Sequence, residues 1–261
     1  MNENIVNFQL FSPLHWGLMF FTVLAPLLLG MAVNRAGGAK TAMIVARILV
    51  VMLLGGEVVQ DCYSFCTQPS FQDFYRRSLP FHLCDFGMIL TAVYMWCYPR
   101  RLQRIFEVAF FWSVAGAIPA MLTPDLPADY PSFGFWQFYV SHMLIVVCNV
   151  YAIVSLRYRP RAAGILWAWL ATNVVFVIVA AINLLLRSNY FFICHPPQTA
   201  MPLFFLPWPW YVVFMEFLTP VFFLVVYLPF GLAAGMVRRG ICGLHSAGRN
   251  VIIARDSDKR K

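Results

Sequence analysis

Six side chains able to act as acids, bases or nucleophiles lie inside otherwise apolar stretches of this chain: Glu57, His82, Cys84, Asp85, His142 and Glu216. Each would be costly to hold in lipid without a partner, so each is first a question about function. The densest group is Leu79-Pro80-Phe81-His82-Leu83-Cys84-Asp85, with Ser78 expected to cap a helix and Pro80 to sit in its first turn. A thiol that early in a helix meets the positive end of the macrodipole, a setting in which cysteines act as nucleophiles. His82 and Asp85 share a helical face, whereas Cys84 points about 200° away from His82, which makes His142 the better base for the thiol. A lone histidine or glutamate in a helix bundle is more often a packing residue. What favours chemistry here is a common depth reached from distant stretches of sequence.

The elements that set this depth are seven apolar runs, each near the roughly 20 residues a membrane helix needs: about Leu14 to Val33, Ala42 to Tyr63, Phe81 to Tyr98, Ile105 to Met121, Phe133 to Leu156, Ala162 to Leu186 and Pro209 to Val237. The expected fold is therefore all-α, a polytopic bundle of seven transmembrane helices over 1–237, followed by a basic tail over 238–261. Sixteen of the nineteen Lys and Arg residues fall in alternate loops and the tail. The positive-inside rule then puts the N-terminus outside and the C-terminus in the cytoplasm. Counted from the outer boundary, Cys84 and His142 lie roughly 6 to 15 Å deep. Glu216, Asn183, and Glu57 with Gln60 and Asp61 come from three further helices to the same layer. Glu107 lies near the opposite end, three residues from Arg104, where an i,i+3 ion pair accounts for it.

Composition narrows the classes. With 61% hydrophobic and 11% charged residues and a mean hydropathy of +0.71, the chain departs from soluble domains, which are about 25% charged. The net charge of +8 is spread as short clusters between apolar runs, which fits topology and anionic lipid rather than nucleic acid. No Lys or Arg precedes His15, so the first run reads as a retained helix rather than a cleaved signal. The seven cysteines, Cys62, Cys66, Cys84, Cys97, Cys148, Cys194 and Cys242, form no CxxC pair, and no structural zinc site is indicated. Cys62, Cys66 and Cys194 would face outward, where a disulfide is possible. Lys40, Lys259 and Lys261 are the only lysines and none lies within a run, which sets aside a retinal photoreceptor.

Several strings carry a more specific signal: Phe81-His82-Leu83-Cys84; Thr123-Pro124-Asp125 with Pro131-Ser132-Phe133; Phe138 to His142; Asn189-Tyr190; and Pro207-Trp208-Pro209-Trp210-Tyr211. Together they resemble the YwaF family of bacterial integral membrane proteins, similar in turn to transmembrane protein 164, a eukaryotic acyltransferase acting on ether phospholipids. Cys194-His195-Pro196-Pro197 departs from that pattern, which expects a basic residue and one proline. The resemblance implies a cell-membrane protein whose partners are membrane lipids, with Cys84 as nucleophile, a histidine as its base and no cofactor. It also resembles seven-helix lipid hydrolases, so hydrolysis stands close to transfer.

On this reading His142 deprotonates Cys84, the thiolate forms a thioester with a lipid acyl group, and a lipid hydroxyl or water resolves it. Glu57 or Glu216 would orient the imidazole, Asn183 or the Trp208 indole would donate to the oxyanion, and His82, Asp85, Asn189, Tyr190, Trp208, Trp210 and Tyr211 would contact substrate. Two other classes stay open. One is a seven-helix sensor using the same polar layer to hold a small molecule; the other is a zinc hydrolase ligated by His82, His142, Glu57 and Glu216, although HxxxH and HExxH are absent.

Overall fold

The computed structural model describes residues 8–124, 130–197 and 204–258, with side chains as far as 235. Among the described residues it is all-helical: α1 (Pro13–Ala36), α2 (Ala39–Thr67), α3 (Phe71–Arg77), α4 (Leu83–Trp96), α5 (Gln103–Leu122), α6 (Phe133–Val154), α7 (Ala162–Leu186), a 3-10 turn (Tyr190–Phe192) and α8 (Trp210–Asp258). Six of these are long and apolar enough to cross a membrane, and α4 is a shorter apolar helix. Its 14 residues span about 21 Å, less than the run Phe81 to Tyr98 suggested. Helix α8 continues past Val237 without a break to Asp258. Asp125, of the Thr123-Pro124-Asp125 string, lies outside the described residues.

Helix starts follow local chemistry. Ser12 and Ser132 accept the N–H groups of His15 and Phe135, capping α1 and α6, and Pro13 occupies the first turn of α1, where its missing N–H costs nothing. Helix α3 was not expected; Ser70 caps it by accepting the Asp73 N–H.

Helices α5 and α6 form the middle of the bundle, α5 packing on α4, α6 and α7, and α6 also on α1 and α2. Lipid supplies no hydrophobic drive between helices, so close approach and polar contacts must hold them. Both are present. Gly30 of α1 sits so near Val154 that a Cβ there would come within 2.5 Å of its Cγ1. Tyr151 donates to Ala42 O at 2.9 Å, and the Trp112 indole donates to Thr172 Oγ1 at 2.8 Å. Fully buried Asn149 accepts from Tyr94 OH and donates to Thr91 Oγ1 and Ile145 O, joining α4 to α6. His15, also buried, accepts the Phe11 N–H at Nδ1 and therefore donates from Nε2 to Met121 O, tying α1 to the end of α5.

Glu107 corrects a sequence expectation. It is fully buried and pairs with Arg161, at the start of α7, through two hydrogen bonds of 2.6 and 3.0 Å. Gln103 donates to the same carboxylate. Arg104 instead places its guanidinium over Trp167. The Glu107 hydrogen bond and charge hold the Arg161 guanidinium above its ordinary range. Gly164 packs directly on the Glu107 side chain, where a Cβ would come within 3.0 Å.

Candidate functional site

The site starts from how α4 begins. Ser78 does not cap it: Ser78 ends α3, its N–H bonded to Phe74 O. The helix begins after His82, whose N–H is accepted by the Asp85 carboxylate at 2.8 Å. The sequence pattern put His82 inside the helix; the residue actually lies at its margin, where its ring is free to face other elements. That ring meets Tyr190 edge-on at 5.4 Å and lies 5.6 Å from Phe192.

Tyr190 anchors the segment leading into α4. Its hydroxyl donates to Tyr75 O and accepts the Leu79 N–H, and burial pushes the phenol up to about 12, so it remains a donor at any working pH. Asn183 fixes Tyr190 in turn, donating to Tyr190 O and accepting Tyr190 N–H and Ser188 Oγ–H. Asn189 Oδ1 accepts the N–H groups of Cys194 and His195, and its amide reaches back to His195 O. The Trp208 indole donates to Ile193 O, and Tyr211 OH donates to Phe192 O at 2.6 Å. Trp210 is exposed. Asn183, Asn189, Tyr190, Trp208 and Tyr211 thus build a rigid frame around 189–197. The Asn183 and Trp208 donors expected to serve an oxyanion are engaged by backbone carbonyls.

Inside this frame, α2, α4 and α6 meet at a polar seam. Asp85 lies within electrostatic reach of Glu57 and Asp61, and His82 within reach of His142. Glu57, Asp61, His82, Cys84, Asp85 and His142 are all half-buried rather than sealed. One Asp61 carboxylate oxygen and the Gln60 side-chain amide oxygen are buried without a partner. The Nδ1 of His142 lies 2.8 Å from Phe138 O, which can only accept, so Nδ1 carries a hydrogen and the neutral ring has its lone pair on Nε2. The Phe138 ring covers the imidazole at 4.3 Å.

Cys84 faces a different neighbour. Its sulfur lies 3.2 Å from where a Gly116 Cβ would stand, in the α4–α5 contact. One turn back along α5, Ser113 is fully buried with its hydroxyl unpartnered, against Gly87. Among the described residues no hydrogen bond joins Cys84 to His142, and neither Glu57 nor Glu216 is bonded to that imidazole. Glu216 accepts from Asn173 at 2.8 Å, between α7 and α8. Also among the described residues, no three His, Cys, Asp or Glu side chains are placed to hold a metal ion, so the zinc reading lacks a ligand set. Cys62, Cys66 and Cys194 are free thiols.

The sequence model of the TMEM164 family matches residues 10–227, from the cap of α1 well into α8. The chain belongs to the TMEM164 family. It is also 28% identical over 158 residues to an uncharacterized protein of Treponema pallidum (strain Nichols), a match that takes in 60% of this chain and 63% of the other, so less than two thirds of that relative is covered. No solved structure matches. Family membership and six apolar helices of spanning length make this a multi-pass membrane protein. Within this TMEM164 family chain the matched region contains every member of the polar seam.

The Asn183–Tyr190 frame was not expected from the sequence: residues placed there at the substrate also hold the loop backbone. The signal was available in Asn183 itself, since an asparagine in the last turn of an apolar helix before a polar loop commonly satisfies the loop backbone.

Proposed function

We propose that this protein is an acyl-transfer enzyme of membrane lipids, with seven spans, the N-terminus outside and the site in the outer leaflet. The orientation is supported by the one-sided distribution of Lys and Arg. The observation that carries the chemistry is the tautomer of His142: a neutral imidazole whose Nδ1–H is held by Phe138 O presents a fixed Nε2 lone pair to the half-buried seam.

In this reaction His142 Nε2 takes the Cys84 thiol proton, and the sulfur attacks the ester carbonyl carbon of a phospholipid. The C–O bond breaks, the leaving alkoxide takes the proton from Nε2, and a thioester remains. A lipid hydroxyl then gives its proton to Nε2 and attacks the thioester, releasing the new ester and the Cys84 thiol. Because Cys84 rests against Gly116 in the structure, the thiol must turn from α5 toward the seam for the first step. Gly116 offers no side chain to obstruct that rotation.

A second reading follows from the same resting contact. Without Cys84, His142 Nε2 would activate water or a lipid hydroxyl directly, and the ester would be cleaved or transferred in a single displacement. Phospholipid turnover by purified Cys84→Ala and His142→Gln proteins separates the two. The thioester route expects both to lose activity, His142→Gln by about 10²–10⁴-fold. Full activity in Cys84→Ala with loss in His142→Gln selects direct displacement, and full activity in both removes Cys84 and His142 from the chemistry.

A further inference from the structure

An apolar groove of about 640 Å³ runs between α2 and α4, lined on α2 by Val50, Leu54, Gly55 and Val58 and on α4 by Ala92 and Trp96, among others. Its volume lies within the range of sites that hold small molecules, about 300–1,000 Å³. The groove is in register with the polar seam. On α2, Leu54 lies three residues before Glu57 and seven before Asp61, and on α4, Ala92 lies seven residues after Asp85, so the acids continue the same helical faces toward the His82 end. Gly55 and Gly56 leave the α2 wall bare there, with open space where each Cβ would stand, while Gln137 of α6 holds the Gly56 carbonyl at 3.0 Å. At the other end Trp96 stands between the groove and a second apolar hollow lined by Ile44, Ile48 and Met52, its ring under the Arg47 guanidinium at 5.6 Å.

We infer that this groove holds one acyl chain of a membrane glycerolipid, its ester beside Glu57 and Asp85 and its methyl end at Trp96. The inference rests on the acyl-transfer reading for its purpose, but not for its test. Three observations select this occupant and direction. The lining is apolar along its length; the surrounding helices are long and apolar enough to place it against hydrocarbon; and polar groups able to face an ester and glycerol lie at one end only. Arg47, at the opposite end, has its guanidinium over the Trp96 ring. A chain seated this way enters sideways from the bilayer and brings its carbonyl to the seam without leaving hydrocarbon. Gly55 leaves the slot open where the chain turns in.

The test uses the full chain in phosphatidylcholine vesicles containing two photoreactive phosphatidylcholines, one with a diazirine near the chain terminus and one with it near the carbonyl. The expected pattern is cross-linking of Val93, Trp96 and Cys97 by the terminal probe, and of Gly55 and Val58 by the carbonyl-proximal probe. Gly55→Leu fills space that is open in the fold and should lower both signals to the level of labelling at an open lipid-facing surface, since the side chain occupies the slot the acyl chain would take. Reversed labelling would place the head group at Arg47 and overturn the inference. Labelling no stronger than at the exposed α7 face of Val174, Val177 and Ile178 would reduce the groove to ordinary boundary lipid, and equal labelling of Gly55→Leu would do the same. Cross-linking requires no turnover, so an inactive Cys84→Ala protein that still labels in order would sink neither the groove nor its direction.

Discussion

Replacing Arg161 by Met isolates the contribution of the Glu107–Arg161 clamp. Glu107 is fully buried, while the Arg161 side chain is 58% exposed, so the substitution leaves a carboxylate inside the bundle with the Gln103 amide as its remaining donor. Removing the partner of a sealed carboxylate is destabilising even where water reaches the guanidinium side, so the expected result is a fall in Tm of several degrees. The sharper result is the double substitution Glu107→Gln with Arg161→Met, which leaves no buried charge and should recover a large part of that loss. Thermal unfolding of the four detergent-solubilised proteins, followed by intrinsic tryptophan fluorescence, completes the cycle. A Tm unchanged in Arg161→Met, or a double variant less stable than Arg161→Met, would refute the reasoning.

Asn149→Leu should lower stability by about 1–3 kcal/mol in the same assay, because Tyr94 OH and Thr91 Oγ1 lose their shared partner between α4 and α6. His15→Phe should cost about 1–3 kcal/mol by leaving Phe11 N–H and Met121 O unpaired, and hydrogen exchange should rise first at the α1 start; protection unchanged there would contradict the assigned contacts. Tyr190→Phe removes the acceptor of Leu79 N–H and the donor to Tyr75 O; it should loosen the entry to α4 and reduce turnover while leaving the α7 core protected, and a protein with wild-type turnover would show that this frame does not position the seam.

Much of the fold was legible in the sequence because membrane helices must be long, apolar and closed in their backbone hydrogen bonds. The runs from Leu14, Ala42, Ile105, Phe133 and Ala162 each became a helix within a few residues of the expected bounds. The third run was less readable: its hydrophobic stretch extends to Tyr98, but the hydrogen-bonded helix starts only where Asp85 accepts His82 N–H and stops at Trp96. Local pairing also misled at Glu107, because sequence separation hid Arg161, 54 residues away. At the site, helical periodicity between His82 and Cys84 did not apply, because His82 is the extended residue that precedes α4. Periodicity also could not show that the Cys84 sulfur rests against Gly116, a contact made between helices, or that Glu216 bonds Asn173 rather than facing the seam.

The most direct test of the proposed chemistry is intact-mass spectrometry of the purified protein mixed with a phospholipid of defined acyl chains and quenched in acid. A mass increase of one acyl group, localised to Cys84, released by neutral hydroxylamine and lost in His142→Gln, is the expected result. Sustained phospholipid turnover by the Cys84→Ala protein, with no acyl adduct on the wild type at any time point, would contradict it.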